Sequence, residues 1–408
     1  MIDTIMKILH TADWHLGKKL ERYSRLEEQI IVMDEICQIA ENENVDAVLI
    51  AGDIFDTFNP STEALELFYK TVKRLSSNAR VPVIAIAGNH DSPDRIEAPD
   101  PLAKENGIFL IGYPNTELKE IELDSGLKVS RTDNGLIEFI LPNIEKPLRI
   151  ITSPYANEQR LKTAFNIEKT EQELRDLLKD SWSNISELYC DDGGINILLS
   201  HHFFVKEGEK AIENSDDEKP ILYIGGAHEI FTNSIPEDIN YTALGHLHRF
   251  QKVEGGKSPV IYSGSPLAYS FAEASQEKYV AIVSFDENGK ADVNKKLLQK
   301  GKKLHRKKFD NIDNAVAWLS ENQNDLIELT IIADEYLSSV DRQRINQAHN
   351  GVISIIPEIK NTRNNNNLES DIDLQQDMNQ LFSQYFKSKF GQEPNESVKS
   401  LFDEIQSK

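Results

Sequence analysis

Over roughly the first hundred residues, short unbroken apolar runs alternate with stretches whose apolar residues recur every three or four positions. Unbroken runs bounded by small polar residues suit strands buried on both faces, and the three-to-four spacing suits helices laid against them. The pattern predicts strands at Met6–His10, Asp46–Ala51 and Val81–Ala87, and amphipathic helices at Ser24–Glu43 and Ser61–Leu75. Strands and helices in this alternation build an α/β layered core with largely parallel strands. Each strand runs into a small polar cluster: Thr11–Gly17, Gly52–Phe58 and Gly88–Pro93. Ligands of open α/β sheets collect at the carboxyl ends of strands, so these clusters are where a site is expected.

From Gly107 to Tyr155 the runs shorten and turn residues separate them, as in a β-rich segment ending at Leu148–Thr152. A polar helix at Glu168–Tyr189 precedes strands at Ile195–Ser200, Asn240–Leu244, Pro259–Ser263 and Lys278–Phe285, with a solvated loop over 206–220. The whole predicts an α/β fold, a layered β-sandwich flanked by helices, over residues 1–300. A small α/β capping domain is expected at 301–360, with helices at Asp313–Glu321 and Ser338–Ala348 and strands at Leu326–Ala333 and Val352–Ile356. Asn361–Asn367 carries five Asn in seven residues, so 361–370 reads as a linker. The tail, 371–408, reads as a helix pair, Asp371–Phe390 and Ser397–Gln406. The apolar face of Leu374, Met378, Leu381, Phe382, Tyr385 and Phe386 cannot be buried by that pair alone.

Composition narrows the picture. The chain has 408 residues, 45 Lys and Arg against 67 Asp and Glu, and a formal charge of −22, which excludes attraction of nucleic acid by bulk charge. Two cysteines, Cys37 and Cys190, make neither a disulfide framework nor a four-cysteine zinc site and suit a reducing, cytoplasmic setting. The apolar runs have strand length, so no membrane span is expected, and no basic region leads into an apolar one as in a secretory signal. An internal start at Met6, at the head of the first strand, is one expectation, and residues 1–5 would then be a dispensable extension.

The strand-end clusters carry metal-ligand chemistry. Asp13-Trp-His15 sets two ligands on one side of an extended segment, Gly52-Asp53 follows the second strand and Gly88-Asn89-His90-Asp91 the third. His201 and the pair His246 and His248 follow later strands. Each alone is ordinary, since Gly-Asp and Gly-Asn-His-Asp also suit turns. Together, carboxylate, imidazole and amide oxygen suit a pair of divalent first-row cations better than calcium or magnesium alone. His202 adjoins a ligand but points to the opposite face of its strand. His10, His228, His305 and His349 read as structural, and Asp56 as either a supporting group or a turn residue.

In this order, Asp-x-His, Gly-Asp, Gly-Asn-His-Asp, His and Gly-His-x-His resemble the calcineurin-like metallophosphoesterase superfamily. The fuller runs Ile8–Gly17, Gly52–Asp56 and Gly88–Pro93 are similar to its SbcD branch, the DNA nuclease subunits of SbcCD complexes. The resemblance implies one metal on Asp13, His15 and His248, a second on Asn89, His201 and His246, and Asp53 bridging the two. It implies two divalent ions, manganese foremost, with His90 protonating the leaving oxygen and Asp91 orienting His90. It also implies DNA as substrate, cut exonucleolytically at double-strand ends and endonucleolytically in single strands or hairpins. The implied assembly is a homodimer within a heterotetramer, with the C-terminal helices gripping an SbcC-type coiled-coil ATPase. ATP falls to that partner, because the chain has no Gly-x-x-x-x-Gly-Lys-Ser/Thr loop.

Two features set the detail. The dimer helices of the family correspond to Ser61–Leu75, offering Leu65, Phe68 and Tyr69, and to Arg95–Glu105, which Pro99 and Pro101 must delay or kink. Lys295–Lys308 holds eight Lys or Arg and no acid, either a solvated strand edge or a DNA-backbone contact. The alternative function is a phosphoprotein phosphatase or small-molecule phosphodiesterase of the same superfamily. Thr57 after Asp56, and Asp91 after His90, depart from the protein-phosphatase pattern. A scaffold with an incidental site is disfavoured because unused buried carboxylates and imidazoles are costly.

Overall fold

The structure, a computed structural model, describes residues 5–156, 160, 171–208, 229–333 and 337–359, with a few positions between 380 and 402. The expected linker, most of the C-terminal helix pair, residues 209–228 with His228, and residues 1–4 lie outside the described residues.

Six strands form the first sheet: β1 (Met6–Thr11), β2 (Ala47–Ile50), β3 (Val83–Ile86) and β4 (Ile108–Ile111), then β11 (Tyr279–Phe285) and β12 (Ala291–Leu297), in the order β12-β11-β1-β2-β3-β4. The second sheet runs from Ile121–Glu122 through β5 (Lys128–Asp133), β6 (Leu136–Ile140), β7 (Leu148–Ser153), β8 (Ile195–Ser200), β9 (Tyr241–Leu244) and β10 (Val260–Tyr262) to Gln251–Val253. The runs β1 to β4 and β7 to β10 are parallel as expected, while one side of the first sheet, β11 and β12, and both ends of the second are antiparallel.

Period-two alternation sorts the strand residues into layers. Leu9, Val48, Ile50, Val83 and Ala85 pack under helices α1 (Leu26–Glu43) and α2 (Thr62–Leu75). Their neighbours Ile8, Leu49, Ile84 and Ile86 meet Ile150, Ile197, Leu199 and Ala243 of the second sheet. On that sheet's far face Ile151, Leu198 and Leu244 pack with Trp182 and Ile185 of α3 (Glu171–Tyr189). The layers are therefore helix, sheet, sheet, helix, with the central core sealed between two β-sheets.

Sequence chemistry sets the ends of the helices. Ser61 caps α2, its Oγ accepting from the Ala64 amide at 3.3 Å. Pro99 and Pro101 break the segment after β3 into Pro93–Glu97, Asp100–Ala103 and a 3-10 turn at Lys104–Asn106. Phe68, expected on an outward dimer face, is buried in the core, because the buried stripe of α2 runs through Ala64, Leu67, Phe68, Thr71, Val72 and Leu75. Tyr69 is the ring left exposed on that helix.

Residues 304–359 form a separate three-stranded parallel sheet of β13 (Leu304–Phe309), β14 (Leu326–Ala333) and β15 (Val352–Ile359). Helices α4 (Ile312–Glu321) and α5 (Ser339–Ala348) bury Ala315, Leu319 and Ile345 against it. The strand β13 falls largely in Lys295–Lys308, the segment whose strand-edge reading carried no bounds because its interior His-Arg-Lys-Lys shows no apolar alternation. Leu304 and Leu326 also pack with Leu20 and Phe271, tying this unit to the first.

Candidate metal centre

The loops after β1, β2, β3, β8 and β9 meet where the carboxyl ends of the two sheets face each other. Backbone bonds lace them together: Asp13 N to Gly52 O at 3.0 Å and His15 N to Asp53 O at 2.9 Å. Across the sheets, His201 Nδ1 donates to Ala51 O at 2.6 Å and the His246 amide to Asp13 Oδ1 at 2.8 Å. Close approach requires glycine. A Cβ on Gly245 would stand 1.9 Å from Ala51 O, and one on Gly88 would stand 2.1 Å from Asp53 Oδ1.

The turns are strained at the residues that carry the chemistry. Asp13, His15, Asp53 and His246 have φ of 53°, 43°, 48° and 97°, a region that L-residues adopt at a cost. Such strain persists only where surrounding structure enforces it, and it concentrates at functional sites.

The resulting constellation is dense. His15 Nε2 lies 3.0 Å from His248 Nε2 and 3.6 Å from Asp53 Oδ2. On the other side His201 Nε2 lies 3.4 Å from Asp53 Oδ1, and Asn89 Oδ1 sits 3.1 Å from His201 Nε2 and 3.0 Å from His246 Nδ1. Asp13, His15 and His248 form one potential ligand group and Asp13, Asp53 and His201 another. Asp53 thus touches both histidine groups. A cation fits this set: Asp13 Oδ2 is buried with no hydrogen-bond partner, and two imidazole nitrogens face each other.

Electrostatics agree with that reading. Burial, reinforced by Asp53, raises the Asp13 carboxyl to about 7. His201 is raised to about 9, since Asp53 and Asp13 outweigh the burial that opposes its charge. His246 is pushed down to about 3 by burial and by His201. A site that concentrates protons and repulsion in this way gains by exchanging them for divalent cations.

His90 is half-buried at the mouth, its ring centroid 4.8 Å from that of His15. Its amide donates to Asp53 Oδ1 at 2.9 Å, and its Nδ1 lies 3.0 Å from the Asp56 carbonyl. The partner that orients His90 is therefore Asp56, not Asp91. Both Asp91 oxygens are spent on backbone amides, those of Ile54 at 3.0 Å, Phe55 at 2.9 Å and Gly88 at 2.8 Å. Burial and Asp53 lift the Asp91 carboxyl to about 6 against these three amides. Asp91 knits the second and third loops together, and Asp56 also pairs with Lys18 at 2.7 Å.

Several supporting residues carried no local sequence signal. Glu273 accepts from His248 Nδ1 at 3.2 Å and from Lys278 Nζ at 2.5 Å. Burial opposes its charge, yet Lys278 and His248 bring it down to about 2, so it fixes His248 as an anion. Gln29 of α1 donates to His15 O at 2.8 Å and accepts from the Gly17 amide at 2.9 Å. Arg160 donates to Gly88 O at 2.8 Å, Asp91 O at 2.7 Å and Tyr155 O at 3.0 Å, bracing the third loop. These partners lie far away in the chain, which is why no motif marks them. His10, His305 and His349 bond Tyr241, Asp325 and Asn322, away from the site.

Layers and site together define a phosphoesterase of the metal-dependent type, and the family model for calcineurin-like phosphoesterases matches residues 6–250. The SbcD subunit of the SbcCD nuclease of Bacillus subtilis (strain 168) is 37% identical over 98% of this chain and 98% of its own length. That of Staphylococcus epidermidis is 32% identical over 69% of this chain and 67% of its own length. The chain belongs to the calcineurin-like phosphoesterases and, within them, to the SbcD family. A dimetal phosphatase from Danio rerio, matched over 73% of this chain and 100% of its own, is 13% identical at a TM-score of 0.39, too loose a likeness to carry weight.

Proposed function

We propose that this protein is a two-metal DNA nuclease subunit that hydrolyses phosphodiesters at double-strand ends and in single strands or hairpins. It would work with an SbcC-type ATPase in DNA repair and recombination in the cytoplasm. The observation that carries this reading is Asp53, set between two groups of imidazoles at 3.6 and 3.4 Å within the SbcD family's ligand pattern. Asp13, His15 and His248 would hold one divalent cation and Asn89, His201 and His246 the other, with Asp53 shared; manganese is the ion we assign. When bound, the cations supply Lewis-acid polarisation of the phosphate and acidify water at the site.

The chain's own residues do the rest. His201 gives its Nδ1 proton to Ala51 O, which aims Nε2 at the site. Glu273 fixes His248 in the same way. His90, anchored through Nδ1 on the Asp56 carbonyl, keeps Nε2 for a proton that passes to the departing sugar oxygen. We assign residues 1–300 to the nuclease domain, 301–360 to the capping domain and 361–370 to a linker. Residues 371–408 are the part that grips the ATPase, in a homodimer within a heterotetramer.

The test is degradation of end-labelled linear DNA, single- and double-stranded, with manganese, with EDTA and in a His90→Ala variant that still binds metal. We expect EDTA to abolish cleavage and His90→Ala to slow it by about a hundredfold or more. Turnover of a phosphomonoester with neither DNA cut would overturn the nuclease in favour of the phosphatase.

A further inference from the structure

Several rings packed against the site histidines are closed off from solvent. Tyr155 stacks 6.5 Å from His246, Phe203 lies 6.4 Å from His246 and Tyr269 lies 5.6 Å from His15, and all three are buried. Phe58 differs, with 57% of its surface exposed. It lies two residues beyond Asp56, the carbonyl that anchors His90. The Arg160 guanidinium lies over its ring, 5.9 Å from the centroid.

Arg160 is itself fixed. Besides its bonds to Gly88 O and Asp91 O, it reaches Asn89 O at 3.4 Å, so one guanidinium links the Phe58 ring to the loop that carries Asn89 and His90. An apolar ring of this size normally gains by burial. Here it is held at the mouth of a phosphate site, backed by a cation and open to solvent. A nucleobase has a π face that suits such a ring, and in a duplex interior that face is already stacked on its neighbours.

We propose that Phe58, backed by Arg160, is a stacking subsite for an unpaired nucleobase of the strand whose phosphate occupies the metal centre. This rests on the nuclease reading. It gives a reason for action on single strands, hairpins and frayed ends, since each supplies a base free to leave the stack. A base held there would fix the position of the sugar-phosphate beside it and so favour the cut at one neighbouring phosphate.

The test uses the full chain with manganese and a defined single-stranded oligonucleotide in which one abasic residue is moved along the strand. The wild type should lose about tenfold in kcat/KM when the abasic residue falls at one position relative to the cut. Phe58→Ala and Phe58→Leu should be slowed about tenfold on the intact strand and lose nothing further from the abasic residue, whereas Phe58→Trp should retain the wild-type pattern. Losses that multiply, or a wild type indifferent to every abasic position, would overturn the subsite. So would a smaller particle for Phe58→Ala by light scattering, which would mean that a second copy covers the ring. A wild type that hydrolyses bis(p-nitrophenyl) phosphate but cuts no DNA would instead overturn the nuclease reading beneath it.

Discussion

At the scale of single residues, the site trades protons for cations, and the sign of that exchange can be worked out. Asp13 is held near 7 and His201 near 9 in the fold, above the 3.8 and 6.5 of exposed groups, so the folded metal-free chain binds more protons than the unfolded one. Their contribution to stability is present at low pH and is lost as pH rises, for Asp13 up to about 7 and for His201 between 6.5 and about 9. His10 and His246, both lowered to about 3, act in the opposite sense and only below 6.5, where acid charges them in the unfolded chain first. Above pH 7 His201 therefore dominates. The metal-free chain should melt at progressively lower temperature from pH 7 to 9, and saturating manganese should flatten that decline. Titration calorimetry at pH 8 in buffers of different ionisation enthalpy should show release of roughly one proton in all as the centre fills. No proton release there would mean that His201 is neutral in the empty site. The residues behind this exchange were legible because each sits in a short motif at a strand end. Glu273 and Lys278, which hold His248, were not, since Glu273 stands 25 positions after His248 with no pattern that ties them together.

At the scale of elements, the apolar runs foretold the parallel strands because those strands are buried on both faces. β12 and β13 gave no bounds, only a possible strand edge over Lys295–Lys308, for the converse reason. They are Lys-rich strands with exposed positions, so neither a continuous nor an alternating apolar signal marks them. Nor does any periodicity show that two sheets must nearly touch at their carboxyl ends. That requirement is carried by single glycines, and Gly245 is the sharpest case. An added Cβ would lie 1.9 Å from the Ala51 carbonyl and 2.8 Å from His201 Nδ1, so Gly245→Ala must part the sheets at the point that aims His201. We expect a cost of about 1–3 kcal/mol in stability, the usual range for overpacking, and a loss of manganese affinity of tenfold or more from the displaced imidazoles. Gly193→Ala is the control, because its Cβ would meet only the Asp191 side chain, at 2.9 Å, and none of the site's ligands. Thermal melting with and without metal separates the two effects. An unchanged melting temperature and unchanged metal affinity in Gly245→Ala would show that the sheets have slack there.

At the scale of the whole molecule, a charge of −22 has to be reconciled with a polyanionic substrate. The basic segment Lys295–Lys308 offers less help than its composition suggests, because the fold uses most of it internally. Lys296 pairs with Glu43 at 2.7 Å, Arg306 with Glu328 at 2.5 Å and Lys308 with Glu358 at 2.5 Å. Lys302 bonds the Tyr23 hydroxyl, and Lys295 and Lys307 lie over Tyr279 and Trp318. Among the described residues that leaves Lys300 and Lys303 as the cations of the segment without a side-chain partner. Each phosphate neutralised contributes a slope of about −0.9 to log affinity against log salt, so Lys300 and Lys303 together supply a slope of about −2, and the segment exceeds it only where Lys295, Lys302 or Lys307 leaves its aromatic or hydroxyl contact. Anisotropy titrations of a labelled 30-base-pair duplex, an arbitrary length of about three helical turns, between about 50 and 200 mM salt should therefore show weak binding and a shallow slope. Lys300→Ala with Lys303→Ala should remove most of what salt dependence remains. A slope steeper than about −4, or tight binding at physiological salt, would mean that the paired cations let go of their partners to take phosphate. The shallow result places the main grip on duplex DNA outside this chain. That outcome would fit the proposed assembly, in which an ATPase subunit would bring the strand to the metal centre.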